Sequence, residues 1–176
     1  MSEIPFERLG IPEAHRKALQ PGAPTKVRLA AASGLLPMPP AVAMSVAFVL
    51  LGDEDAAVSG AASRHLVQMP VDIVLKVVSK DTHPKLLEFL VENRMGDERL
   101  LERVAANRLA NERTLRLIAS RASAPVLELL SMNQERLLLE PHLYAEMQGN
   151  PAAGEDTLKR VESFLRMHEL LDEDPG

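Results

Sequence analysis

The nine residues N-R-M-G-D-E-R-L-L at positions 93–101 return fourteen positions later as N-R-L-A-N-E-R-T-L at 107–115, with five identities. A shortened copy, N-Q-E-R-L-L, occupies 133–138, and Asn150-Pro151 again closes an apolar segment. Each copy reads as the end of one helix and the start of the next. Asn93, Asn107, Asn133 and Asn150 stand at helix-terminating positions, where asparagine tolerates the left-handed backbone that stops a helix. Asp97 and Asn111 follow as N-caps, and Glu98 and Glu112 lie in the first turn, where the helix dipole favours a carboxylate. Leu100, Leu101 and Val104, then Leu115, Ile118 and Ala119, fall on one apolar stripe. Helices of about nine residues are too short to be stable alone. The pattern therefore predicts a stack in which every helix is held by its neighbours.

Upstream, P-G-A-P-T at 21–25 breaks the chain after a short amphipathic segment at 12–19. Thr25 is placed to cap a helix over 26–33 that stops at Gly34. A corner containing Pro37, Pro39 and Pro40 leads into an uncharged apolar helix over 41–51, and Asp53 or Asp55 caps the next, over 56–67. Pro70 and Pro84 open helices over 71–79 and 84–93, the latter capped by Asp81 or Thr82. Downstream, helices are expected over 125–133, 135–139 and 142–147. The longest spans 155–171, with Leu158, Val161, Leu165 and His168 on one stripe and Phe164 and Leu171 beside it.

The expected fold is all-α, with eight to ten helices. An N-terminal cap segment (1–24) precedes a helical repeat array (25–151). A C-terminal helix (152–171) then caps the array or, through 155–171, forms a homodimer seam, and a disordered acidic tail (172–176) follows. Residues 25–171 are expected to form a single domain.

Short helices closed by Asn, restarted by Asp, Asn or Pro, and filled with Leu and Ala resemble bacterial HEAT-like and leucine-rich-repeat-variant α-solenoids over residues 25–151. The unit of about 28 residues per hairpin is shorter than the usual HEAT, armadillo or tetratricopeptide unit. There is no cysteine, so the iron–sulfur site of some leucine-rich-repeat variants is not carried over. The resemblance implies a right-handed or compact short solenoid that serves as a protein-binding scaffold.

Composition narrows the function classes. The 176 residues are 46% hydrophobic and only 3% aromatic, which suits a Leu, Val, Ala and Met core of close-packed helices. Absence of cysteine excludes disulfides and thiolate chemistry. The five histidines are far apart, none in an H-E-x-x-H pattern, and the nine glycines form neither a nucleotide-binding loop nor G-x-S-x-G. No enzyme activity, metal or cofactor is expected. The longest uncharged run, 29–52, is interrupted by prolines and too short for stable membrane insertion. With no secretory signal at the start, a cytoplasmic location is expected.

The net charge of −5 hides a gradient: residues 94–121 carry seven basic and four acidic side chains, and 122–176 carry four and eleven. The basic stretch contributes the candidate partner-binding set Arg94, Arg99, Arg103, Arg108, Arg113 and Arg116, with Arg121 at its end. In antiparallel helices Arg94, Arg99 and Arg121 fall at one rim, Arg108 and Arg113 at the other, and Arg103 and Arg116 mid-helix. The expectation is a surface for an acidic or helical segment of another protein, centred on Arg99, Arg103, Arg113 and Arg116. The blander alternative is a solvated face knitted by pairs such as Glu112 with Arg116. Nucleic acid, gripped as some HEAT-like proteins do, is disfavoured by the acidic total and the single tyrosine. A purely structural or dimerisation domain of a larger assembly is the other alternative.

Overall fold

The computed structural model describes residues 6–20 and 22–171, and the acidic tail at 172–176 lies outside them. Among the described residues every regular element is helical: twelve α-helices, one 3-10 turn and no strand. The number exceeds eight to ten because stretches of one or two turns each form a separate helix. They fall into two compact units, one ending at Leu86 and one starting at Leu87.

The first unit contains α1 (Glu13–Arg16), which runs into a 3-10 turn (Lys17–Leu19), then α2 (Thr25–Ala32), α3 (Pro40–Leu50), α4 (Ala56–Gln68) and α5 (Val71–Val77). α2, α3 and α4 pack on one another. Small side chains permit this close approach: Ala31, Ala32, Ala47, Ala61 and Ala62 are buried among Met44, Val46, Val58 and Leu66. Thr25 is the first residue of α2 rather than its cap; the preceding Pro24 is extended and supplies no capping side chain. α2 ends with the amides of Gly34 and Leu35 donating to the carbonyls of Ala31 (3.2 Å) and Ala30 (3.0 Å), an ending that needs the left-handed φ of 69° found at Gly34. The His65 ring of α4 packs straight onto that glycine, and a Cβ there would lie 2.3 Å from its Cε1.

At the start of α4, Asp55 accepts from the Ala57 amide at 2.8 Å. Asp53 acts differently, accepting from the Asp55 amide (2.9 Å) and forming a largely buried ion pair with Arg28 Nε at 2.9 Å. Before the helix that opens at Pro84, His83 rather than Asp81 or Thr82 supplies the cap, its Nδ1 accepting from the Lys85 amide at 3.2 Å. Thr82 Oγ1 is already engaged by the Ser79 amide.

The second unit holds α6 (Pro84–Asn93) from Leu87 onward, α7 (Glu98–Ala105), α8 (Glu112–Arg121), α9 (Ala124–Ser131), α10 (Gln134–Leu139), α11 (Leu143–Gln148) and α12 (Glu155–Met167). α8 packs on α7, α9 and α11; α9 packs on α7 and α12; and α12 packs on α10 and α11. The expected stripes of α7 and α8 form the core, whereas on α12 Leu158 is half-buried and His168, past the helix end, is exposed. Leu100, Leu101, Val104, Leu115, Ile118, Leu127, Leu130, Val161 and Leu165 are buried, each contributing about 1.5–3 kcal/mol of transfer free energy. Thr157, Val161 and Leu165 direct α12 into this unit. The helix ends at Met167 instead of residue 171, because Glu169 takes a left-handed φ of 57° and the Leu170 amide turns back to Leu165 O.

Glu169 is the one described non-glycine residue with positive φ, so none of the four repeat asparagines stops its helix by the left-handed route. Asn93 ends α6 with its side chain donating back to Phe89 O at 2.8 Å. Asn133 opens α10, accepting from the Arg136 amide at 3.2 Å, after α9 has already ended. Asn107 and Asn150 turn the chain by accepting from the amide two residues ahead, at Leu109 and Ala152, each at 2.9 Å. Of the two expected caps, Asn111 does cap α8 through the Thr114 amide (2.9 Å). Asp97 makes no capping bond, since its carboxylate is held by Arg94 Nε at 2.6 Å.

Candidate functional site

The arginine set does not form one surface. Arg94 is buried on Asp97. Arg108 reaches Glu135 at 3.4 Å, with both side chains mostly in solvent, where such a pair contributes little. Arg99 and Arg103 are exposed on α7, and Arg103 has no ion-pair partner among the described residues. Arg113 and Arg116 are the two that the fold brings together. They line an open cleft of about 480 Å³ on α8 and α11, with Glu112, Leu117, Ser120 and Glu146.

Each of these two arginines already holds carboxylates. Arg113 Nη2 donates to Glu92 at 2.6 Å and its Nε lies 3.4 Å from Glu88, both on α6. Arg116 donates through Nε (2.8 Å) and Nη2 (2.6 Å) to one oxygen of Glu146 on α11, with Glu112 more distant at 4.0 Å. His142 Nε2 approaches that same Glu112 oxygen at 3.3 Å. A ladder of charge thus runs from α6 across α8 to α11. It contains four carboxylates, Glu88, Glu92, Glu112 and Glu146, against two guanidinium groups. Leu117 and Ser120 are half-buried beneath it, and the Ser120 hydroxyl donates to Leu117 O.

Two further polar groups hold helix ends from a distance. Asn150 is buried, and its Nδ2 donates to the carbonyls of Ala119 and Ala122, both at 3.0 Å, at the C-terminal end of α8. Arg136 Nη2 donates to the carbonyls of Asn107 and Arg108 while Nη1 holds Glu140 at 3.1 Å, which fastens α10 to the turn after α7. Neither role follows from the helix-stop pattern of the repeat. A signal for Asn150 is nonetheless present: N-P-A-A-G-E-D-T-L at 150–158 shares Asn, Ala, Glu, Thr and Leu with 107–115 at the same five offsets. The proline in second place and the missing arginines hide it. For Arg136 the signal is N-Q-E-R-L-L itself, whose arginine stands outside the charged middle stretch.

No family model, curated protein or solved structure matches the chain. The surface itself is what bears on function. A second hollow, of about 320 Å³ in the first unit, brings Ser45, Ser79, Asp81 and His83 to its wall. His83 has its Nδ1 occupied by the Lys85 N–H, and burial, with Arg8 and Lys85 nearby, keeps its pKa below the ordinary histidine value. The neutral ring then carries its proton on Nε2 and offers no lone pair for general-base work. Among the described residues there is no cluster of three metal-ligating side chains, and no helix is long and apolar enough to cross a membrane.

Proposed function

We propose that the chain is a non-enzymatic protein-interaction module of the HEAT-like, α-solenoid kind, and that its binding face is the α8–α11 cleft with the adjoining charges of α6. The observation that carries this reading is the Arg116–Glu146 bridge across an open cleft, set in a row of charges contributed by three helices. Side-chain links between helices of the second unit support the repeat. Arg136 to Asn107, Arg116 to Glu146, Asn150 to Ala122, and Thr157 to Glu128 join residues 29, 30, 28 and 29 apart, close to twice the fourteen-residue spacing of the motif.

The partner is a helical or extended segment. An acidic segment would have to displace Glu92 and Glu146 from arginines they already hold, in a field with a two-charge excess of carboxylate. A segment with lysine or arginine meets the opposite field: its aliphatic stem can lie on Leu117 and its head on Glu112. The charge balance favours the basic segment.

A photo-crosslinking residue at Ser120, used in the native host, would identify the partner. With that partner purified, Glu112→Lys/Glu146→Lys is expected to weaken binding at least about tenfold, and added salt to weaken binding to the unaltered chain. Binding untouched by both the charge reversal and salt would refute the proposal.

A further inference from the structure

The corner L-L-P-M-P-P at 35–40, between α2 and α3, carries side chains that the first unit does not use. In a helix ending of the kind found at Gly34, the next residue commonly packs back onto the helix. Leu35 instead is 76% exposed, more than any other large hydrophobic side chain among the described residues. Pro37, Pro39 and Pro40 are exposed as well, whereas Leu36 and Met38 are half-buried. Pro39 has φ −56° and ψ 145°, close to polyproline II. The ring of Pro37 fixes φ at a similar value, and each residue that precedes a proline is pushed toward the same extended region.

With three residues per turn, Pro37 and Pro40 lie along one ridge of such a segment. Both ends are tied down. The Leu35 amide is bonded to Ala30 O at 3.0 Å, and Pro40 is the first residue of α3. After a bend at Leu36, the stretch from Pro37 to Pro39 leads into α3 with Pro39 extended and Pro37 and Pro40 exposed, and no charged residue occurs between Arg28 and Asp53.

We propose that this corner is a docking element for a partner domain whose aromatic-lined groove reads polyproline II. The rings of Pro37 and Pro40 enter neighbouring slots between aromatic side chains, with Leu35 against the groove's edge. Ordering costs little on binding, because the helices on either side already fix the backbone. Recognition here is apolar, so it is insensitive to salt, in contrast to the charged cleft of the second unit. The proposal is independent of that cleft.

The test titrates the full ¹⁵N-labelled chain with purified SH3, WW and EVH1 domains as probes of polyproline-reading grooves, at low and high salt. At least one domain is expected to shift the amides of Gly34, Leu35, Leu36, Met38 and Ala41, with little change on adding salt. Pro37→Ala/Pro40→Ala is expected to weaken that binding at least about tenfold. Leu35→Ser, at an exposed position outside the helices, is expected to weaken it about threefold while leaving the spectrum folded. No shift of these amides with any of the three domains, or shifts that survive both variants, would overturn the proposal.

Discussion

Replacing Gly34 by alanine tests whether the end of α2 is held by a conformation or by a contact. Two costs apply. At φ 69° an L-residue is strained by about 1–2 kcal/mol. The new Cβ would also lie 2.3 Å from Cε1 and 2.8 Å from both nitrogens of His65, so the ring or the α2 terminus must move, for about 1–3 kcal/mol more. Gly34→Ala should therefore destabilise by about 2–5 kcal/mol. Gly10 supplies the control: its φ is 64°, but nothing lies within 4 Å of the alanine position, so Gly10→Ala should lose only the conformational part. Urea unfolding followed by circular dichroism measures both. In a His65→Ala background the overlap is gone, and Gly34→Ala should become milder by about 1–3 kcal/mol, read as a coupling energy. An equal cost in both backgrounds would show that the ring is not what confines this position.

Asn150→Ala should cost about 2–4 kcal/mol, because two carbonyls at the end of α8 lose their buried donor. Tyr144, the single tyrosine and in the same unit, reports the unfolding by fluorescence, and a loss under about 0.5 kcal/mol would contradict the role given to Asn150. Burial holds His65 below its ordinary value of 6.5, and burial with Arg8 and Lys85 does the same for His83. Between the unfolded and the lowered folded value the unfolded chain binds more protons, so stability rises with pH there. The stability linked to the two neutral rings is complete above about 6.5 and is lost as the pH falls toward the folded values; urea midpoints unchanged from pH 7.5 to pH 5 would refute this. Glu128 acts in a lower window, its pKa held down by the Thr157 hydroxyl and then by Arg160, so its contribution is lost only as the pH falls through that lowered value. Glu128→Gln should flatten the acid limb of the stability curve. Arg116→Glu and Glu146→Arg should each cost about 0.5–1 kcal/mol, as befits a half-exposed pair, and the charge-swapped double variant should recover most of it.

Helix starts are legible in the sequence because they are local. Glu98, Glu112, Glu155 and Pro84 begin helices where the capping and dipole rules place them, and Gly34 ends one as its missing side chain permits. The work of the asparagines is less legible, since an amide can stop a helix by a left-handed turn or by accepting from an amide two residues on. Which happens depends on what lies beside it. Asn150 faces open carbonyls and becomes a buried clamp, while Asn93 at a matching place in the motif is exposed. The arginines are the hardest to read. Their number is plain in 94–121, but the carboxylates that hold Arg113 and Arg116 sit 21 residues upstream and 30 downstream, brought near only by packing between helices. Local rules carry no information about such partners, and a charged stretch read by itself looks more available than it is.

The Asn150 clamp also bears on the order in which the chain can be completed. α8 leaves the ribosome with the carbonyls of Ala119 and Ala122 lacking the donor that will close them, and that donor is 31 and 28 residues further along. Arg136 likewise reaches back to the carbonyls of Asn107 and Arg108 in the turn after α7, and the Thr157 hydroxyl reaches back to the Glu128 carboxylate on α9. The segments from α7 to α9 are thus each tied by a side chain made about three helices later, a delay of a few seconds at ordinary rates of synthesis. Assembly of this kind advances from the N-terminal side like a fastener being drawn shut, and a chain halted before residue 150 would present α8 with its last turn still open.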